Sequence, residues 1–177
     1  KDHPGFLDKE YKARRNHIAE ASKTYKMGQP IPKIDYIQSE TDLWKHLYKT
    51  LLPLNMEHAN KEYIENFKTL EKEGIFTQNR IPQLDEINRF LNKKTNWRIK
   101  PVNGILSQRE YLNCLAFRTF PSTQYIRHPS KPLFTPEPDI LHEFLGHIPN
   151  FCDPVFCDIS QELGMLSLGA SDSVIKT

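Results

Sequence analysis

The sequence predicts a mainly α fold with short β-strands, built as one domain. Three features carry that expectation. Apolar residues recur at helical spacing through most of the first half. Cap and breaker residues stand at the ends of those stretches. Alternating apolar–polar runs, the mark of half-buried strands, are few and short. The chain's 177 residues suffice for one enclosed core. A composition of 38% hydrophobic and 26% charged residues suits a globular chain and not a disordered one.

Residues 6–25 carry Tyr11, Ile18 and Tyr25 on roughly one stripe, which predicts a first helix. The stretch "GQPIPKIDYI" (28–37) holds two prolines and is expected to run extended. A second helix is expected near Ser39, whose hydroxyl suits a cap, with Asp42 three residues on. Its buried face is Leu43, Leu47 and Leu51, joined by Trp44 and Tyr48, and Pro53 is expected to end or kink it. A third helix over 57–73 buries Tyr63, Ile64, Phe67 and Leu70 and stops at Gly74. A fourth follows Pro82, with Leu84, Ile87, Phe90 and Leu91 inward. "WRIKPV" (97–102) reads as a strand. "SQRE" (107–110) is a capping box opening a helix through Leu115. "STQYIRH" (122–128) reads as a second short strand, followed by a proline-rich loop. Asp153 and Pro154 form a cap and first turn for a late helix, and Ser171 caps the start of another.

Charge and cysteine content narrow the function classes. With 24 basic against 22 acidic residues the net charge is +2, too balanced for a nucleic-acid partner. "KARR" (12–15) reads as a solvated helix face. Three cysteines are odd in number and sparse, which suits a reducing compartment. No apolar run approaches the ~20 residues of a membrane span. The opening "KDHPGFLDKEYKARR" lacks the apolar segment of a signal peptide. A cytoplasmic location is therefore expected. The chain opens without methionine, so a longer parent is expected as well.

The stretch "TPEPDILHEFLGH" (135–147) concentrates the chemistry. His142 and His147 are five residues apart, and on a regular α-helix they would diverge by ~140°. The HExxH pair of zinc peptidases, four apart, diverges by only ~40°. Gly146 is expected to relax or end the helix, with Pro149 preventing its continuation, so that His147 swings back towards His142. Glu137, Asp139 and Glu143 surround the pair and could orient the rings. Two metals are consistent with the residues. Structural zinc would take His142, His147, Cys152 and Cys157, which repeat the interval of five. Non-haem iron(II) would take two imidazoles and one carboxylate, leaving open positions. Local spacing does not identify that carboxylate, and Glu162 is one candidate. A zinc hydrolase with Glu143 as base is a further reading, against which the extra residue in HEFLGH counts.

Longer motifs add to this. "DHPGF", "GQPIPKIDY", "IPQLDEINRFL", "TQYIRH", "TPEPDILHEFLGHIP" and "ISQELGMLSLGASD" together resemble the tetrahydropterin-dependent aromatic amino acid hydroxylases. The likeness runs nearly end to end. Within that family "IRHPSKPLFTPEPDI" looks most like the members acting on phenylalanine. The resemblance implies a partial version of the hydroxylase catalytic-domain fold. Residues 1–177 would be its N-terminal and central part, without regulatory or tetramerisation segments, so that a homo-oligomer belongs only to a longer parent. It implies Fe(II) and tetrahydrobiopterin as cofactors, and O2 and an aromatic amino acid as small-molecule partners. The reaction it implies is ring hydroxylation, of phenylalanine to tyrosine in the first place, with tyrosine or tryptophan as alternative substrates; a zinc-stapled structural or interaction module is the alternative outside the family.

The resemblance also implies roles. His142 and His147 would bind the iron. Glu143, Gly104, Leu106, Gln108 and Tyr111 would contact the pterin. Arg127 and Thr135 would seat the substrate, with Asp139 holding Arg127 and Pro138 forming part of the aromatic pocket. A guanidinium fork suits the substrate carboxylate. The family's third iron ligand, a glutamate in a "TVEFG"-type motif, has no counterpart among these residues, and Glu162 matches a different family glutamate. This piece is therefore expected to hydroxylate poorly or not at all by itself, and a longer parent to be active. Pro121 and Ser122 stand where the family commonly has "HC", Leu141 where it has cysteine, and Tyr111 where it has phenylalanine.

Overall fold

The computed structural model describes residues 3–175. Helix α1 (Lys9–Thr24) starts at Asp8, whose carboxylate accepts the Tyr11 N–H at 2.9 Å. Helices α2 (Gln38–His58), α3 (Lys61–Lys72) and α4 (Leu84–Thr95) follow. Strand β1 (Arg98–Pro101), helix α5 (Gln108–Ala116) and strand β2 (Thr119–Ser122) form one crossover unit. The strands pair in parallel, Arg98 opposite Thr119 and Pro101 opposite Ser122. Parallel pairing needs such a crossover, and α5 supplies it. A π-helical turn (His142–His147) leads into α6 (Ile148–Phe151), then α7 (Pro154–Ser167) and α8 (Asp172–Ile175).

One apolar core joins these elements. Trp44, Leu47, Phe67, Leu70, Ile87, Leu91, Trp97, Phe120, Phe144 and Phe151 are all essentially sealed from water. Phe144 belongs to the π-helical turn and lies edge-on to Trp44, with ring centroids 6.2 Å apart. The histidine segment is thus anchored from behind by the same core that holds α2 and α3 together. Burying an aromatic side chain of this kind contributes roughly 1.5–3 kcal/mol.

Four local expectations need correction. Ser39 does not cap α2. Ile37 is the cap residue, and Glu40 reaches back to its N–H at 2.9 Å, completing the reciprocal half of a capping box. Pro53 does not end α2, which runs on to His58. Pro53 and Lys49, whose carbonyl loses its i+4 donor, are both exposed, so water can replace that bond. The third helix accordingly begins at Lys61 instead of 57, capped by Asn60. The segment 122–128 is not a strand beyond Ser122. It is extended, but its carbonyls are taken one by one by other groups: Gln124 O by the Tyr36 hydroxyl at 2.9 Å, Tyr125 O by the Ile140 N–H at 2.9 Å and Ile126 O by the Tyr11 hydroxyl at 3.1 Å.

Helices α5 and α7 pack at unusually close range, and Gly164 is the reason. A β-carbon there would lie 2.2 Å from the Ala116 nitrogen and 2.7 Å from the Leu112 carbonyl oxygen. Both are backbone atoms and cannot rotate away. Arg118, at the end of the α5 turn, adds hydrogen bonds to Gln161 at 2.7 Å and to Asp158 on α7. The Gly164→Ala variant should lose about 1–3 kcal/mol of stability from overpacking, measured by urea unfolding. A neutral substitution would show that the two helices separate freely.

Candidate functional site

The π-helical turn resolves the histidine spacing. Its bonds run from residue i to i+5, as in the Ile148 N–H donating to the Glu143 carbonyl. That pattern sets residue i+5 above residue i, where an α-helix would set i+4. The Nε2 atoms of His142 and His147 therefore face each other at 3.1 Å. The expected swing of His147 off a helix end does not occur, because the helix widens instead of stopping. Pro149 does not block continuation either, since it sits in the first turn of α6.

Two nitrogens at that separation suit one metal ion. With metal–nitrogen bonds of about 2.1 Å they would subtend about 95°, closer to octahedral than to tetrahedral geometry. The residues thus fit a shared ion of the iron(II) type. Among the described residues, Glu143 is the third group whose ligand atom lies within 4.8 Å of both imidazoles. The cysteine set proposed for zinc is overturned. Cys152 and Cys157 are buried in the core, and their thiols donate to the carbonyls of Ile148 and Phe151. Burial pushes both thiols well above their usual pKa, so neither is a ready thiolate ligand. Glu162 is exposed on α7 and does not join the group.

The imidazoles open on a cleft of about 300 Å³. Gly104, Leu106, Gln108, Tyr111, Pro138, His142, Glu143 and His147 all line it, so eight of the predicted site residues meet there. Sequence reasoning missed Val102 and Ile105 as wall residues, and gave Pro121 only as a departure. It also missed Phe120, which β2 holds against the His147 ring at 5.3 Å between centroids. The aromatic side chain itself, next to the strand expected from Ser122, was the available signal.

Burial dominates the electrostatics of the cleft. The Glu143 carboxyl is pushed up to about 8, chiefly by desolvation, with the Thr123 backbone opposing and Asp139 adding to the rise. His147 is pushed down to about 4 by burial and by His142. Its ring is therefore neutral near pH 7 and offers a lone pair. A divalent cation held by the rings would draw the Glu143 value back down.

Arg127, Thr135 and Asp139 lie outside this cleft. Asp139 is fully buried and gathers four donors: Arg127 Nε at 2.9 Å, Arg127 Nη2 at 2.7 Å, the Arg127 N–H at 2.9 Å and the His142 N–H at 3.1 Å. It thus holds Arg127, as expected, and also caps the turn that carries His142. Arg127 gives Nη1 to the Pro132 carbonyl at 3.2 Å and lines a separate cleft of about 200 Å³ with Tyr11 and His128. The Thr135 hydroxyl donates to the Glu137 carbonyl, shaping the loop.

The family model for biopterin-dependent aromatic amino acid hydroxylases matches residues 1–177. The chain belongs to this family. It is 50% identical over 174 residues to a chloroplastic phenylalanine 4-monooxygenase of Pinus taeda, covering 98% of this chain and 48% of the relative. It is 47% identical over 175 residues to a tyrosine 3-monooxygenase of Canis lupus familiaris, covering 99% of this chain and 35% of the relative. The chain thus spans less than half the length of these hydroxylase relatives. A solved phenylalanine hydroxylase of Chromobacterium violaceum, with bound iron(III) and 7,8-dihydrobiopterin, superposes with a TM-score of 0.72 at 29% identity. That match covers 81% of this chain and 51% of the solved one. The mainly helical fold with its strand pair matches part of the hydroxylase catalytic-domain fold.

The Asp139→Ala variant should lose about 3–5 kcal/mol, because it strands a nearly buried guanidinium and uncaps the histidine turn. Urea unfolding of the purified variant measures the loss, and a change below ~1 kcal/mol would refute the assignment.

Proposed function

We propose that this chain forms the iron- and tetrahydrobiopterin-binding part of an aromatic amino acid monooxygenase that converts phenylalanine to tyrosine. The observation carrying the reading is the pair of Nε2 atoms 3.1 Å apart at the mouth of an apolar-walled cleft. Residues 1–177 are read as the N-terminal and central part of one catalytic domain. Bound together, ferrous iron and reduced pterin would activate O2 for insertion into the aromatic ring. The protein's own residues hold and orient the reactants. His142 and His147 would grip the ion, leaving further positions open. Tyr111, half-buried and set edge-on to Phe120 at 6.5 Å, would offer its ring face to the flat pterin. Gly104, Leu106 and Gln108 would border the same heterocycle, and Glu143 would face it as a hydrogen-bonding acid.

Arg127 and Thr135 are proposed for the substrate amino acid. The Nε–Nη2 edge of Arg127 is committed to Asp139 and Nη1 donates to the Pro132 carbonyl, so a substrate carboxylate would meet the hydrogens left at the Nη1–Nη2 end. The stretch 126–140 supports phenylalanine over tyrosine or tryptophan. Among the described residues, no helix is long and apolar enough to cross a membrane. A cytoplasmic site of action agrees with the free cysteines.

Metal binding tests the core of this reading. The chain should bind one ferrous ion, and His142→Ala or His147→Ala should weaken binding by more than ~100-fold, beyond the ~10–100-fold typical of an outer-sphere partner. Calorimetric titration under argon measures it. Equal binding by wild type and variants would remove the proposed centre. In a longer parent chain supplied with tetrahydrobiopterin and O2, phenylalanine should give a higher kcat/KM than tyrosine or tryptophan, and zinc should not replace iron. Higher kcat/KM on tyrosine would reassign the substrate.

A further inference from the structure

Pro149 deprives one backbone carbonyl of the π-helical turn of its α-helical donor, and a donor comes from far along the chain. In an α-helix the carbonyl of residue 145 would accept from the N–H of residue 149. Residue 149 is proline and has no N–H. Leu145 is buried, so water does not substitute freely. The Tyr63 hydroxyl, on α3, donates to the Leu145 carbonyl instead. The Asn55 side-chain amide, on α2, donates in turn to the Tyr63 oxygen at 3.1 Å. The next carbonyl, that of Gly146, accepts from the Asn150 side-chain amide at 3.1 Å. Two consecutive carbonyls between the histidines are therefore bonded by side chains.

Tyr63 is well placed for this. It is 7% exposed, and its ring packs on Phe67 with centroids 5.9 Å apart. Burial raises its phenol to about 12, so the hydroxyl keeps its proton to donate.

We propose that Tyr63 is a positioning residue for the metal centre: its hydroxyl, oriented by Asn55, replaces the donor that Pro149 lacks and fixes the wide turn in which His142 and His147 converge. This rests on the reading of those histidines as metal ligands. Without the phenol, the buried Leu145 carbonyl would lose the Tyr63 donor, a loss that destabilises the turn's backbone as it stands. An α-helical register would not supply the donor, since Pro149 has none, so the backbone around Leu145 would have to shift locally, and such a shift would displace His147 from His142.

Cobalt(II) serves as the probe, because its visible ligand-field bands report coordination geometry and need no turnover. Wild type, Tyr63→Phe and Asn55→Ala are titrated with cobalt(II) alone. Tyr63→Phe keeps the ring and removes one oxygen. The expected result is a dissociation constant raised about 10-fold, in the range seen for outer-sphere partners, with displaced ligand-field bands. Asn55→Ala leaves the core ring in place and should displace the bands in the same direction with a smaller loss of affinity. It carries the test if Tyr63→Phe does not fold. A folded Tyr63→Phe with wild-type affinity and bands overturns the proposal and leaves the metal site intact. Wild-type bands and affinity in Asn55→Ala, should that alone fold, overturn it too. Failure of the wild type itself to bind cobalt or iron overturns both this proposal and the metal reading beneath it.

Discussion

Two imidazoles five residues apart can serve one ion only where the backbone between them abandons α-helical spacing. That constraint shapes the surrounding structure. The turn must be wide, and its backbone groups must find partners outside the usual ladder. Asp139 receives the His142 N–H at the start, Tyr63 and Asn150 serve carbonyls near the end, and Phe144 plugs the middle into the core. A π-helical turn is rare because its hydrogen-bond geometry is unfavourable in isolation. Here tertiary contacts from α2, α3 and the loop before the turn hold it in place.

Asp139 ties two regions that the sequence presents separately. Its carboxylate binds Arg127 by two side-chain bonds and one backbone bond, and it also binds the backbone of His142. The segment around Arg127 and the segment around the histidines are therefore set relative to one another by a single buried group. Arg15 adds an outer brace by pairing with Glu137 at 2.6 Å, linking α1 to the same loop.

The helices were largely legible in the sequence. Leu43, Trp44, Leu47 and Tyr48 mark the buried face of α2 by spacing alone, and Ser107 with Glu110 marks the start of α5 as a reciprocal cap. Eight site residues named from motifs meet in one cleft. What failed to show was long-range. No pattern in 122–128 says that its carbonyls will be taken by hydroxyls of Tyr11 and Tyr36, more than eighty residues away. Pro53 reads as a helix breaker until its solvent exposure is known. The cysteine interval looked like ligand spacing because spacing carries no information on which face points into the core. The interval of five between the histidines did announce an irregular helix, but a helix end and a widened turn meet that requirement equally well on paper.

Gly164 bears on the cleft although it is not in it. With only a hydrogen facing the Ala116 nitrogen, α7 rests against the backbone of α5. The N-terminal half of α5 carries Gln108 and Tyr111, which line the cleft together with the histidines. That lining is therefore seated by two main chains in contact, a rigid ruler with no side chain to compress, on another face of the helix beside which a planar guest would lie.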